Sequence, residues 1–351
     1  MYSRQSESCL HFWNCDFAFS FMTCRWIKFA ALCLLACGLA VVVPSCTRRT
    51  ADHRASPPAS DGRDAPRASA LGSVMLSLPV SAYHVSIAAA DDDVFYLMTA
   101  TAAYRLEPQR APAAMPLDLG AGAAATRASI VFWSQGAVWC APKAGGAPRR
   151  LLSLSERPQL FVASASGEDF AWLARGRDGR FAVHALAGKG ARAAYTSAGS
   201  IDAAMLLSDA VVFVEGLAGG QWRMGRVGIS GGPATFTALR KGRAPAMLTG
   251  RSAITYYAGS GYEVRRLSPD LQREETLSRN FVCTPLAVAE PVVICASVEG
   301  LFALQPGAPP RLLVAGSAER LITDVAASPR RVVWAVDAGP DSVEVRSLSL
   351  P

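Results

Sequence analysis

The sequence predicts an all-β chain: a seven-bladed β-propeller closed by an N-terminal strand, preceded by a lipoprotein-type signal and a disordered tether. The first observation behind this is a recurring apolar triplet, mostly ending in an aromatic residue. It reads Val94-Phe95-Tyr96, Val131-Phe132-Trp133, Phe170-Ala171-Trp172, Val211-Val212-Phe213, Ile254-Thr255-Tyr256, Val292-Val293-Ile294 and Val332-Val333-Trp334. The last members of successive triplets are 37, 39, 41, 43, 38 and 40 residues apart. Short apolar strands at a period near forty residues mark one four-stranded blade per repeat. The second observation is length: residues 71–351 hold about what seven such blades need, so no second domain fits. The third is composition, 51% hydrophobic and 18% charged, which supplies the apolar surface for sheets packed face to face.

The N-terminal segment, residues 1–46, reads as an export signal, with Met22 as a candidate true start. Arg25 and Lys28 form a positive region, and Phe29 to Val43 is an apolar run with no charge. A run of roughly 15 residues suits a signal better than a membrane span, which needs about 20. It ends at Val43-Pro44-Ser45-Cys46, which resembles the lipobox of bacterial lipoproteins, with Cys46 as the lipidated residue. Pro44 departs from that pattern, Leu34-Leu35-Ala36-Cys37 is a second candidate, and an uncleaved anchor flanked by Arg48 and Arg49 is the alternative. Residues 47–70 are rich in Arg, Ala, Ser, Pro and Asp and read as a disordered tether.

The blades follow in order. In blade 1, Asp91-Asp92-Asp93 fills the first turn, and hard-cation loops space their ligands differently, so the triplet reads as a solvated turn. Blade 2 holds the strand Ala137 to Pro142 and the turn Ala144-Gly145-Gly146, and blade 3 turns at Arg175 to Arg180, where Asp178-Gly179 is a hairpin signal. Blade 4 turns at Leu217–Gln221 and at Ile229-Ser230-Gly231-Gly232. Blades 5 and 6 turn at Gly259-Ser260-Gly261, Pro269-Asp270, Glu290-Pro291, Glu299-Gly300 and Pro306-Gly307. Tyr96, Trp133, Trp172, Tyr256 and Trp334 recur at one blade position, which predicts packing between blades and not a stacking platform for a ligand.

Blade 7 runs out after three strands, at Ser342–Leu348. Upstream, Val74, Leu76 and Leu78 alternate with polar or flexible neighbours in a spare strand. Because an unpaired edge leaves backbone donors and acceptors open, Val74–Leu78 is expected to add to Ser342–Leu348 and close the ring.

Chemistry is sparse. The net charge of +7 comes mostly from scattered Arg, with no basic stripe and no nucleic-acid motif, so no nucleic-acid partner is expected. His11, His53, His84 and His184 lack metal-ligand spacing, no Cys-x-x-Cys occurs, and no metal or other cofactor is implied. Of nine Cys, Cys140, Cys283 and Cys295 belong to the propeller. A hairpin centred at residue 289 sets Cys283 opposite Cys295, which gives either a disulfide or two buried apolar thiols. No serine-hydrolase elbow, dinucleotide fingerprint or phosphate loop is read, and no carboxylate pair can be placed. No catalytic or cofactor-binding residue is therefore assigned.

Lys143-Ala144-Gly145-Gly146-Ala147-Pro148 and Ser230-Gly231-Gly232-Pro233 resemble the blade turns of propeller lipoproteins from GC-rich Gram-negative genomes. More distantly the repeat is similar to TolB-type and YWTD-type propellers. The signal and lipobox imply an exported chain, and Thr47 in place of Asp after Cys46 favours a lipid anchor in the outer membrane, facing the periplasm or the cell surface; a monomer is expected. The expected role is a non-catalytic binding or scaffold protein that holds a protein or envelope-polymer partner at the propeller face. A propeller hydrolase acting on glycans or other envelope substrates, and a structural component of an envelope assembly complex, are the alternatives.

Overall fold

The computed structural model describes residues 72–350, apart from 90–92, 120–122, 155, 165–166, 188–189, 251, 259–261, 281, 285 and 317–319. The described strands form seven antiparallel sheets. Each blade follows the chain as a meander. Blade 1 takes Ser86–Ala89, Phe95–Met98, Ala102–Leu106 and Ala113–Pro116; blade 2 takes Ala123–Ala125, Ser129–Ser134, Ala137–Pro142 and Arg149–Ser153. Blade 3 takes Leu160–Ala163, Phe170–Arg175, Phe181–Ala187 and Gly190–Thr196. Blade 4 takes Ser200–Leu206, Ala210–Leu217 and Gln221–Gly228, and its outer edge is split into Thr235–Phe236 and Arg240–Lys241. Blade 5 takes Leu248–Thr249, Ile254–Ala258, Glu263–Leu267 and Glu274–Ser278; blade 6 takes Leu286–Ala289, Val292–Ser297, Gly300–Leu304 and Arg311–Ala315.

Blade 7 is built from both ends of the propeller. Ile322–Ala327, Arg331–Gly339 and Ser342–Ser349 come from the C-terminal side, and Ser73–Leu78 adds the outer strand. The register pairs Ser73 with Ser347, Leu76 with Val345 and Leu78 with Val343, so the ring closes as the spare strand predicted. A bulge at Met75 alters the expected alternation: Met75, Leu76 and Leu78 pack toward blade 1, whereas Val74 faces out. At the entry to this strand Gly72 has φ +43°, and a Cβ there would fall 2.4 Å from the Trp334 ring, so only glycine fits.

The first strand of each blade contacts the first strands of both neighbours, giving an unbroken inner ring. Between adjacent blades lie seven apolar clusters, one per interface. Tyr96 packs with Ile130 and Phe132 of blade 2, Trp172 with Val131 and Val138 of blade 2, Tyr256 with Val212 and Val214 of blade 4, and Trp334 with Ile294 of blade 6. These rings are buried between blades as their recurrence predicted; Trp133 also packs against the cluster between blades 2 and 3, but is only half-buried, beside the Arg157 guanidinium. The meander fixes two faces. Loops joining second to third strands, and each outer strand to the next blade, form a front face. Loops joining first to second and third to outer strands form a back face, where Gly72 and Leu350 also lie.

Candidate functional site

The natural place for a site is the channel that the inner strands surround. On the front face these strands open with Ser86, Ala123, Leu160, Ser200, Leu248, Leu286 and Ile322. Along all seven, the titratable residues are Asp202 and Asp324, on blades 4 and 7. Both sit at bulges, where an extra residue redirects the side chain. Asp202 runs along Gly216 of the next strand, its Oδ2 only 2.9 Å from where a Cβ on Gly216 would stand.

Asp324 bridges the seam. Its Oδ2 accepts the Ile87 amide of blade 1 at 2.7 Å, and its Oδ1 accepts the Val325 amide at 2.8 Å. Burial disfavours the charged carboxylate and outweighs both amide bonds, pushing its pKa up to about 6. The folded state therefore holds a proton that the unfolded chain, with a carboxyl near ~3.9, has released. Stability falls as pH rises between these two values, and the full penalty applies above pH ~6. We expect Asp324→Asn, which keeps an acceptor for Ile87, to stabilise the fold by about 2 kcal/mol at pH 8 and hardly at pH 4. Urea melts across that range check this; a pH-independent effect would contradict it.

The back face is laced by carboxylates that reach from one blade to the one before it. Glu168 accepts the Ala128 amide at 2.7 Å and the Thr126 hydroxyl at 3.0 Å. Glu290 accepts the Ser252 amide at 2.6 Å, and Asp93 meets Arg331 of blade 7 at 3.4 Å. All three occupy the loop just before the second strand, so one repeat position supplies an inter-blade latch. Between blades 5 and 6 the latch roofs a cleft of about 290 Å³ lined by Ser252, Thr255, Arg266, Val288, Glu290 and Pro291. Its polar groups already serve one another: Arg266 donates to the Pro291 carbonyl at 2.9 Å, and Glu290 takes both Ser252 donors.

Two polar nodes lie further out, the first around a buried carboxylate and the second around a buried phenol. Glu215, with 0% exposure, accepts the Tyr195 hydroxyl at 2.8 Å, the Arg223 Nε at 2.7 Å and the Ser197 hydroxyl. The Arg223 guanidinium lies 3.7 Å from the Phe236 ring centre. Burial pushes the Glu215 carboxyl up, but bonds from Ser197, Tyr195 and Arg223 and the Arg223 charge prevail and hold it below the usual range. Burial, reinforced by Glu215, pushes the Tyr195 phenol up to about 12. The second node joins Tyr256 to Glu274 and Arg240, with Arg265 bridging Glu274 and Glu263. Burial, followed by the bond to Glu274, takes the Tyr256 phenol to about 12. Sequence reasoning missed both nodes. The signal for the first was Glu215 itself, a carboxylate ending the otherwise apolar run Val211-Val212-Phe213-Val214.

The residues singled out from the sequence fall in separate places. Cys46, with residues 1–46 and 47–70, lies outside the described residues. Cys283 and Cys295 are joined by a disulfide, with Cα atoms 5.4 Å apart. Their register is not the one expected: Leu286 pairs with Cys295, and Cys283 precedes the strand. The hairpin turns at Glu290-Pro291 and is centred between these residues, later than 289. Cys140 is buried and unlinked. Non-reducing digestion of the full chain should release Cys283 and Cys295 in one linked peptide and Cys140 as a free thiol; separate Cys283 and Cys295 peptides would contradict this.

Gly228-Ile229-Ser230-Gly231-Gly232 corrects one reading. It has the Gly-x-Ser-x-Gly spacing of a hydrolase elbow, which the reading of Ile229–Gly232 as a turn passed over. The structure makes it a turn after a third strand, closed by Gly231 N–H to the Gly228 carbonyl at 2.8 Å, and no helix follows. Within the Arg175–Arg180 loop, Arg175 donates to the Gly179 carbonyl at 3.0 Å, and Asp178 accepts the Arg180 amide at 3.0 Å. His184 stacks on Trp172, ring centres 5.1 Å apart, and burial lowers its pKa against the pull of Glu156. Asp91 and Asp92 lie outside the described residues, and among those described no cluster of His, Cys, Asp or Glu is placed to hold a metal ion.

No protein-family model matches the sequence, and no curated protein matches it. Solved structures do. A chain from the crystal structure of the mitotic checkpoint complex is similar with a TM-score of 0.57 at 9% identity, covering 86% of this chain and 99% of that one. The fold is a β-propeller. A chain from the crystal structure of a nidogen/laminin complex aligns at a TM-score of 0.42 and 16% identity, over 55% of this chain and 78% of that one. At such identities the likeness concerns the fold alone.

Proposed function

We propose that the chain is a non-catalytic binding or scaffold protein of the cell envelope, holding a protein or envelope-polymer partner at the propeller face. The observation that carries this reading is the inner ring, whose titratable groups are Asp202 and Asp324 on blades 4 and 7. Glycoside hydrolysis asks for two carboxylates about 5–9 Å apart across an open cleft, and Asp324 instead spends its oxygens on the seam. The mitotic checkpoint complex is by its name an assembly, and a propeller of similar fold within it supports a binding role here. The signal pattern at residues 1–46 adds export, lipidation at Cys46 and an outer-membrane anchor, with the propeller a monomer in the periplasm or at the surface.

The full chain, purified in detergent, should not turn over a panel of ester and glycan substrates. Turnover that disappears in Asp202→Asn or Asp324→Asn would overturn the non-catalytic reading. Palmitate labelling of cells should mark the chain and be lost with Cys46→Ala; retained label would move the anchor elsewhere.

A further inference from the structure

Eight large apolar side chains stand exposed among the described residues, and four of them share one sector of the front face. Tyr262, Val282, Val298 and Leu321, with 54%, 52%, 73% and 41% exposure, fall on four successive front-face loops. These are the second-to-third loop of blade 5, the connection from blade 5 to blade 6, the second-to-third loop of blade 6, and the connection from blade 6 to blade 7. Single exposed apolar residues are ordinary; a run of them along one sector is not.

Several described residues of these segments are tied by backbone hydrogen bonds. The Thr284 amide donates to the Ala296 carbonyl at 2.8 Å, and the Cys283–Cys295 disulfide crosses the same two segments. The Gly316 amide then donates to the Glu299 carbonyl at 2.7 Å, tying this loop to the next connection. A Cβ on Gly316 would fall 2.8 Å from the Val298 carbonyl oxygen, so the two segments are in close contact. The Leu321 carbonyl accepts the Asp337 amide at 2.9 Å, which fixes that residue to blade 7. Tyr262 holds a φ of +49°, a conformation uncommon for an aromatic residue, while its ring stays open to solvent. Where an anchor's backbone is already bonded, as at Leu321, less of the cost of ordering it falls on binding.

Charge indicates the occupant. Exposed cations in this sector of the front face are Lys241, Arg243, Arg279 and Arg320, against the exposed carboxylates Glu299 and Asp341 among the described residues. Arg279 and Arg320 flank Val282 and Leu321 in sequence. Each meets a more buried carboxylate, Glu263 at 3.5 Å and Glu344 at 2.9 Å, and with five donors each guanidinium keeps outward N–H groups for another acceptor.

We propose that Tyr262, Val282, Val298 and Leu321, pinned by the Cys283–Cys295 disulfide and rimmed by Arg279 and Arg320, dock an acidic, apolar segment of a partner protein. This rests on the binding reading above and names the face and the chemistry of the partner. A few anchors seated in a fixed frame carry most of the affinity of such a contact, and the charged rim adds specificity and encounter rate.

The test is a selection of random dodecapeptides on the full chain in detergent, with the chain carrying Val298→Asp as counter-selection. The expected winners interleave Asp or Glu with Leu, Phe or Trp. Their affinity should fall at least tenfold with Val298→Asp and with Arg279→Glu, and should weaken as salt rises. Leu160→Asp, on the front face of blade 3, should leave binding unchanged and control for folding. Winners that are basic, or that bind both chains equally, overturn the docking site while leaving a binding scaffold elsewhere intact. Phosphatidylglycerol vesicles that capture the chain through Val298, or dimers that Val298→Asp dissolves, overturn it in favour of a lipid surface or a second copy. Enrichment of nothing overturns it as well.

Discussion

A chain beginning at Val80 should fail to form a stable ring, whereas one beginning at Ala70 should melt like the parent. Removing Ser73–Leu78 opens the whole Ser342–Ser349 edge of blade 7 and uncovers Val343 and Val345, both fully buried. It also removes Met75, Leu76 and Leu78 from the interface with blade 1. Partial burial of three such side chains, with the lost ladder, amounts to roughly 5 kcal/mol. For a domain of this size that is a fall in Tm of roughly 10–20 °C, or outright aggregation through the open edge. Thermal melts and light scattering of the two chains decide; equal Tm and solubility would mean the strand is not part of the ring.

Glu215→Ala should be the most damaging single substitution outside the apolar slabs, costing about 3–5 kcal/mol. It strands the Tyr195 and Ser197 hydroxyls and leaves Arg223 without its carboxylate, in a site whose walls are Phe213 and Phe236. Glu215→Gln should cost less, since one amide oxygen still accepts the hydroxyls. The ionised carboxylate is the better-bound form, so the stability it adds is present above the ordinary glutamate range and is lost as pH falls through its lowered value. Chemical denaturation at pH 7 and pH 4 measures both. A loss under 1 kcal/mol for Glu215→Ala would show the node to be no more than a surface ion pair.

What could be read from the sequence is what repeats or alternates. The triplets placed the second strands because each must bury an aromatic or aliphatic body between blades, as Trp172 and Trp334 do. Val74–Leu78 announced the closing strand by alternation, but the bulge at Met75, a one-residue irregularity, left no mark in the pattern. Symmetry about residue 289 juxtaposed Cys283 and Cys295 while missing the register, because Glu290-Pro291 moves the turn later. The inner ring, the back-face latches and the front-face apolar sector were not legible. Each is assembled from residues one blade or more apart, so no local pattern signals that Asp324 meets Ile87, or that Glu168 caps the loop at Thr126.

The central structural claim, that the two ends of the propeller share blade 7, is tested most directly by tying them together. Ser73 and Ser347 are paired residues whose hydroxyls lie 3.1 Å apart. In the full chain carrying Ser73→Cys and Ser347→Cys, non-reducing digestion should yield a single peptide linking the two new cysteines, formed without added oxidant beyond air. The oxidised protein should also melt higher than its reduced form, because the link spans nearly the whole ring. Recovery of Cys at 73 and 347 as two free thiols from folded, air-exposed protein would contradict the closure, and the seven-bladed ring with it.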